Sequence, residues 1–176
     1  MKSAVNNYLS LLYHASRRAA SRFIETAYAH CDIPCGIYDP HQAQIGALTV
    51  IRMMDIMHEL ENQHEKHDVE FRNSMMRAVA VKEKHAELVK HEVRVIWGDY
   101  FKPEIAAKYP ELASLVHEIL TLGSKGKQTV NRNEAVELLD RVNQFAEIFW
   151  ETKGQKTKRV KAPYKPGEEI VVPTFN

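Results

Sequence analysis

From Asp39 to Lys153 the chain sets its apolar residues at helical spacing. Ala43, Ala47, Val50, Met54 and Met57 follow one another at intervals of three or four, which is one face of an α-helix. Asp39-Pro40 offers an N-cap and a proline at the first helical position, so the pattern predicts a helix over 40–65. The polar run from Asn62 to Asp68 predicts a turn or a kink. A second helix is expected over 69–97, with Phe71, Met75, Ala78, Val81, Leu88 and Val95 on its apolar line and His85 pointing inward among them. Gly98 and Pro103 break that pattern, and Tyr100-Phe101-Lys102-Pro103 reads as a connecting loop. Pro110 opens a third helix carrying Leu112, Leu115, Val116, Ile119 and Leu122, with Gly123 expected just past its end and a lysine-rich loop over 124–129. Asn131 and Glu134 have the spacing of a capping box, and Ala135, Leu139, Val142, Phe145 and Phe149 line a fourth helix to about Lys153.

Nothing alternates convincingly at period two, and 41–102 and 111–162 lack proline, so the expected class is all-α, an antiparallel four-helix bundle. The tail over 154–176 holds three prolines, several lysines and the short apolar run Ile170-Val171-Val172; it is expected to be an extended or mobile appendage.

Composition narrows the classes. With 176 residues, 44% hydrophobic and 27% charged, the chain has room for one domain with a real core and is not disordered wholesale. No apolar run is long enough to span a bilayer, and a formal charge of +1 gives no signal for nucleic acid. That near-neutral total conceals a partition. Residues 1–29 carry Lys2, Arg17, Arg18 and Arg22 against Glu25 alone; 154–176 carry five basic residues against two acidic; the middle is acidic.

The first 29 residues end in Ala27-Tyr28-Ala29, a small-x-small pattern suited to a processing protease, which makes Ala29-His30 the expected cut. Their apolar patch, Tyr8 to Tyr13, is short and interrupted for a secretory signal. An ordinary N-terminal helix that stays attached is the other reading, and the leader alone does not choose between them. The division expected is thus 1–29, a leader that is removed, 30–153, the working domain, and 154–176, a basic, proline-containing extension.

Both cysteines fall together, in His30-Cys31-Asp32-Ile33-Pro34-Cys35-Gly36-Ile37-Tyr38. Two thiols and a histidine this close can be a metal hook, a redox disulfide or incidental small hydrophobes. Pro34 and Gly36 put them in a turn, where a core cysteine has little reason to be, and Cys-x-x-Cys with a βαβ setting is missing. Three side-chain ligands are one short of a structural zinc site. A cut after Ala29 would change the count. The freed His30 amine, the Cys31 amide nitrogen and the Cys31 thiolate close two chelate rings; Cys35 completes a plane and the His30 imidazole is axial. Two nitrogens and two sulfurs in a plane suit Ni(II) or Cu(II).

The hook closely resembles the N-terminal nickel hook of nickel superoxide dismutases. The resemblance continues through Lys82-Glu83, Ala86-Glu87-Leu88, Trp97-x-Asp99-Tyr100-Phe101-Lys102-Pro103, Lys108-Tyr109-Pro110-Glu111-Leu112 and Ile148-Phe149-Trp150-Glu151-Thr152-Lys153, and so covers nearly all of 30–153 in order. It implies a four-helix bundle assembled as a homohexamer, a leader removed by a maturation peptidase, and one nickel ion per subunit. The implied reaction is the disproportionation of superoxide to O2 and H2O2 by Ni(II)/Ni(III) cycling, an antioxidant role in oxidative stress. His30, Cys31 and Cys35 are the implied metal ligands; Tyr38 and Asp32 line the pocket at the open axial position. Lys102 matches a family lysine that helps draw in the anion. No nucleic-acid or membrane partner is implied. The family is mainly cytoplasmic, while the long arginine-bearing leader also resembles an organelle-targeting segment.

Two positions depart from the usual pattern. Gly46 stands where a glutamate is frequent, and His85 replaces an arginine that steadies the axial histidine. His85 is expected to take over part of that support, directly or through water. Other classes fit the sequence less well. Glu61-x-x-His64 has the spacing of a di-iron carboxylate core, but only one copy exists, in a strongly polar stretch. His58, His64, His67, His91 and His117 are read as solvated. A non-enzymatic nickel or copper carrier would share the hook without needing the pocket tyrosine.

Overall fold

The computed structural model describes residues 35–63 and 68–175. The chain divides into two compact units, 1–35 and 36–176. Of the first, only Cys35 is among the described residues.

Helix α1, His41–Gln63, begins where the sequence places its cap. Asp39 Oδ1 accepts from the His41 N–H at 2.8 Å, and the Pro40 carbonyl accepts from Ala43 and Gln44 at 3.0 and 3.2 Å. Ala43, Ala47, Val50, Met54 and Met57 are all buried, as expected. Helix α2, Val69–Val95, is capped by Asp68, whose Oδ1 accepts from the Phe71 N–H at 2.9 Å. Its buried stripe differs from the expected one. Phe71 and Ala78 belong to it, but it continues through Lys82, Ala86, Val89 and Val93. Met75, Val81, Leu88 and Val95 are only partly buried, and His85 lies at the stripe's edge, half-buried.

Gly98 does not break the helix. The backbone widens into a π-helical turn over Ile96–Tyr100, and the Phe101 N–H reaches back to the Ile96 carbonyl at 3.2 Å. A short helix α3, Pro103–Ala106, leads to α4, Leu112–Gln128. Gly123 lies inside α4 rather than beyond its end. It is buried where α4 crosses α2, and a β-carbon there would come within 2.8 Å of Lys90 Cγ. The expected loop over 124–129 is therefore mostly helix. Helix α5, Arg132–Thr152, starts at Asn131, whose side chain accepts from the N–H groups of Asn133 and Glu134. Its end is the Schellman form: Gly154, at φ +70°, lets its own N–H reach the Glu151 carbonyl and the Gln155 N–H reach that of Trp150. The glycine that ends a helix is Gly154, not Gly123.

The four long helices pack in a closed circuit, α1 on α2, α2 on α4, α4 on α5 and α5 on α1. Phe145, Phe149, Ile51, Met54, Ile96, Leu112, Ile119 and Leu138 fill the centre.

The tail is the main departure. Strands β1, Lys156–Lys161, and β2, Glu169–Thr174, form an antiparallel hairpin with Lys156 opposite Thr174 and Lys161 opposite Glu169. It packs on α5, and Ile170 and Val171 are buried. A strand as basic as β1 has no apolar alternation to reveal it. It is held by tertiary contacts, with Arg159 paired to Asp140 at 2.6 Å and to Glu147 at 2.9 Å. No helix among the described residues is long and apolar enough to cross a membrane.

Candidate functional site

His30, Cys31 and Asp32 lie outside the described residues, as does the Ala29-His30 junction. Cys35 is exposed and unbridged. Among the described residues no three His, Cys, Asp or Glu side chains converge as metal ligands. Glu61 is exposed near the end of α1, and His64 and His67 lie outside the described residues. His58 and His117 are exposed and His91 is half-buried.

What is built in the second unit is an aromatic and hydroxyl cluster around Tyr38. Gly36, at φ +71°, turns the chain in a left-handed conformation that favours glycine. Asp39 and Pro40 then lock the start of α1, and Tyr38 between them is half-buried, packed against the core. Its ring meets that of Tyr100 at 5.8 Å between centroids. The π-helical turn brings Tyr100 there, and turns of this kind are frequent at functional sites. Tyr100 also packs on Phe149 at 4.8 Å and edge-on to Phe101 at 5.1 Å.

The hydrogen bonds fix a direction. Thr152 Oγ1 donates its one proton to the Phe149 carbonyl at 2.6 Å. Tyr100 and Thr152 are joined at 2.6 Å, so the Tyr100 phenol is the donor in that bond. Its oxygen keeps lone pairs able to accept. Lys153 Nζ stands 4.5 Å from the centre of the Tyr100 ring, a cation on an aromatic face. Nearby, Tyr109 is pushed above its ordinary phenol value, by burial first and then by Glu151, Tyr100 and Glu111, which keeps it protonated.

Lys102 is exposed, and its N–H bonds the Tyr100 carbonyl at 2.9 Å, two residues from the cluster. His85 has its Nδ1 2.8 Å from the Val81 carbonyl. A carbonyl only accepts, so Nδ1 carries a proton and Nε2 is the ring nitrogen not engaged by that bond. A β-carbon at Gly46 would lie 3.2 Å from the His85 carbonyl and 2.8 Å from Val89 Cγ2. The two unusual positions are therefore neighbours where α1 crosses α2.

Tyr100, Thr152 and Lys153 had no individual role in the sequence reading. No local spacing joins Tyr100 to a residue 52 positions later; only the likeness of their two sequence blocks marked them.

Residues 25–153 match the sequence model described as nickel-containing superoxide dismutase. The superoxide dismutase [Ni] of Streptomyces coelicolor is 42% identical over 128 residues, 73% of this chain and 91% of that protein. Its counterpart from Streptomyces seoulensis is 41% identical over 125 residues, 71% and 88% of the two chains. Among solved structures, native nickel superoxide dismutase matches with a TM-score of 0.61 at 43% identity, over 70% of this chain and 99% of that one. A form with nickel ligation corresponding to the oxidized state gives 0.62 at 41% identity, over 71% and 99%. The chain belongs to the nickel-containing superoxide dismutase family. It is an oxidoreductase with superoxide as substrate and nickel as cofactor.

Proposed function

We propose that residues 1–29 are a leader removed by a maturation peptidase, and that the cut makes His30 the donor of an amine and an imidazole. Cys31 supplies an amide nitrogen and a thiolate, Cys35 the second thiolate, and together they hold one nickel per subunit. Residues 30–153 then form the metal hook and an antiparallel four-helix bundle, assembled as a homohexamer in the cytoplasm, with 154–176 as a C-terminal extension packed against it. Three things support this reading: Cys35 is exposed and unbridged, the long helices close a circuit, and the family match runs from 25 to 153. The donors would suit nickel, since an amine, an amide nitrogen and two thiolates stabilise its higher oxidation state.

Bound nickel supplies the one-electron exchange between Ni(II) and Ni(III) that turns two superoxide anions and two protons into O2 and H2O2. The chain's own residues orient the anion and manage protons. Tyr38 and Asp32 order water and admit the anion without binding the metal. The observation that carries this role is the packing of Tyr38 on Tyr100, whose phenol is committed as donor to Thr152. The Tyr100 oxygen is thereby an acceptor for a water or for the Tyr38 hydroxyl. Lys102 and Lys153 bring positive charge towards this cluster in an otherwise acidic region, which raises the local concentration of a small anion. An intact-mass measurement on protein from its own cells tests the ligand set. A chain beginning at His30 with one nickel is expected; a nickel-loaded chain that still begins at Met1 would overturn it.

His85 stands in for the missing glutamate and arginine by offering its Nε2 lone pair to the His30 imidazole N–H, directly or through water. Its fixed Nδ1 proton and its place beside Gly46 support the role. His85→Gln should change the Ni(III) electron paramagnetic resonance spectrum and lower turnover. An unchanged spectrum with unchanged turnover rules the role out.

A further inference from the structure

The residues matched to the family stop at 153, short of the C-terminal hairpin, yet the hairpin is wired into the helices. Gln44 of α1 and Asn143 of α5 are 1% and 2% exposed, two amides buried among largely apolar neighbours. Gln44 Nε2 donates to Asn143 Oδ1 at 2.9 Å and to the Val171 carbonyl at 3.0 Å. The Val171 N–H donates to Asn143 Oδ1 at 3.2 Å, and Asn143 Nδ2 donates to the Glu169 carbonyl at 2.9 Å. Both main-chain groups of Val171 thus serve the two helices, and the edge of β2 is closed by side chains. Without the hairpin, the amides would keep only each other.

We propose that the hairpin is a strut that fixes the first turn of α1, and through it Tyr38, with Gln44 as the positioning residue. Its consequence for catalysis rests on the reading of Tyr38 as a pocket residue; the strut itself does not. From Gln44 back to Tyr38 the chain has little freedom. The Gln44 and Ala43 N–H groups share the Pro40 carbonyl, and Asp39 takes the His41 N–H. The start of α1 is therefore held to α5 at two points. Tyr38 reaches it through Tyr100 and Thr152, and Gln44 reaches it through Asn143. The hairpin secures the second point. The hairpin is also docked by an ion pair that does not touch the amides: Arg132, held by Asp55 of α1 at 2.8 Å, reaches Glu168, just before β2, at 2.9 Å.

Fluorine NMR of the full chain labelled with 3-fluorotyrosine, with the Tyr38 signal assigned through Tyr38→Phe, tests the strut. Gln44→Met keeps the volume and removes the donors. It should move the Tyr38 signal towards its denatured position and make the amides of 43–47 exchange about tenfold faster, the size of one or two lost buried hydrogen bonds. The signal of Tyr164, in the hairpin loop, should stay in place. Arg132→Gln should leave Tyr38 unmoved. Where Gln44→Met does not fold, a chain ending at Gly154 serves instead, with the same displacement expected. A Tyr38 signal unmoved by Gln44→Met or by the truncation overturns the strut, as does an equal shift in Arg132→Gln. Displacement of Tyr38 with full superoxide turnover would uphold the strut and remove Tyr38 from the reaction.

Discussion

Lys82 is 2% exposed on the inner face of α2, and its surroundings explain how a charge is tolerated there. Nζ donates to the carbonyls of Gly126, Lys127 and Thr129 at 2.7, 2.8 and 3.0 Å, three acceptors for the three protons of an ammonium. These carbonyls lie at and just past the end of α4, the negative pole of that helix, so the lysine does the work that a C′ glycine does elsewhere. Burial pushes its ammonium below the usual lysine value, with Glu83 offsetting this in part. Lys82→Met should cost about 3 kcal/mol in urea unfolding at pH 7, because three buried carbonyls lose their donor. A loss under about 0.5 kcal/mol would mean that water replaces the ammonium freely. Lysine is ordinarily a surface residue, so an apolar pattern passes over it. An apolar pattern therefore runs through Met75, Val81 and Leu88 and misses Lys82, Ala86 and Val89, and it sets His85 further inward than it lies.

Between elements, the contact of α2 with α4 carries a titratable link. Glu87 accepts from Lys127 at 3.0 Å and from Arg94 at 2.7 Å. Burial alone would raise its carboxyl, but the bonds to Lys127 and Arg94 outweigh that and hold it below the ordinary value. A carboxylate depressed in the folded state contributes stability that is present above its unfolded pKa of about 4.3 and is lost as the pH falls through the lower folded value. The side chain is 44% exposed, so screening keeps the contribution below about 1 kcal/mol. Glu87→Gln should therefore be slightly less stable than the parent in urea at pH 7 and equal to it near pH 2. A difference that persists undiminished there would assign the effect to packing. The helices themselves were legible in the sequence because three of their four apolar faces repeat without interruption. The hairpin was not, because four of the six residues of β1 are basic and both strands are only six residues long. Its stability comes from Gln44, Asn143, Asp140 and Glu147, all distant in sequence.

At the scale of the whole molecule, a functional family was readable because its thiols, histidine and tyrosine stand within nine consecutive residues, 30–38. The cluster that receives Tyr38 was not readable as a site, since it joins a π-helical turn at Tyr100 to the end of α5 at Thr152. The central claim is chemical. The chain has few side-chain ligands near the hook, and the proposal is that its own cut end at His30 makes up the number. Superoxide turnover by a nickel-treated chain with an uncleavable leader, mass-verified to retain residues 1–29, tests this most directly. The account predicts turnover indistinguishable from that of nickel-free protein, with activity appearing in the cleaved form; catalysis by the uncleaved chain would contradict it.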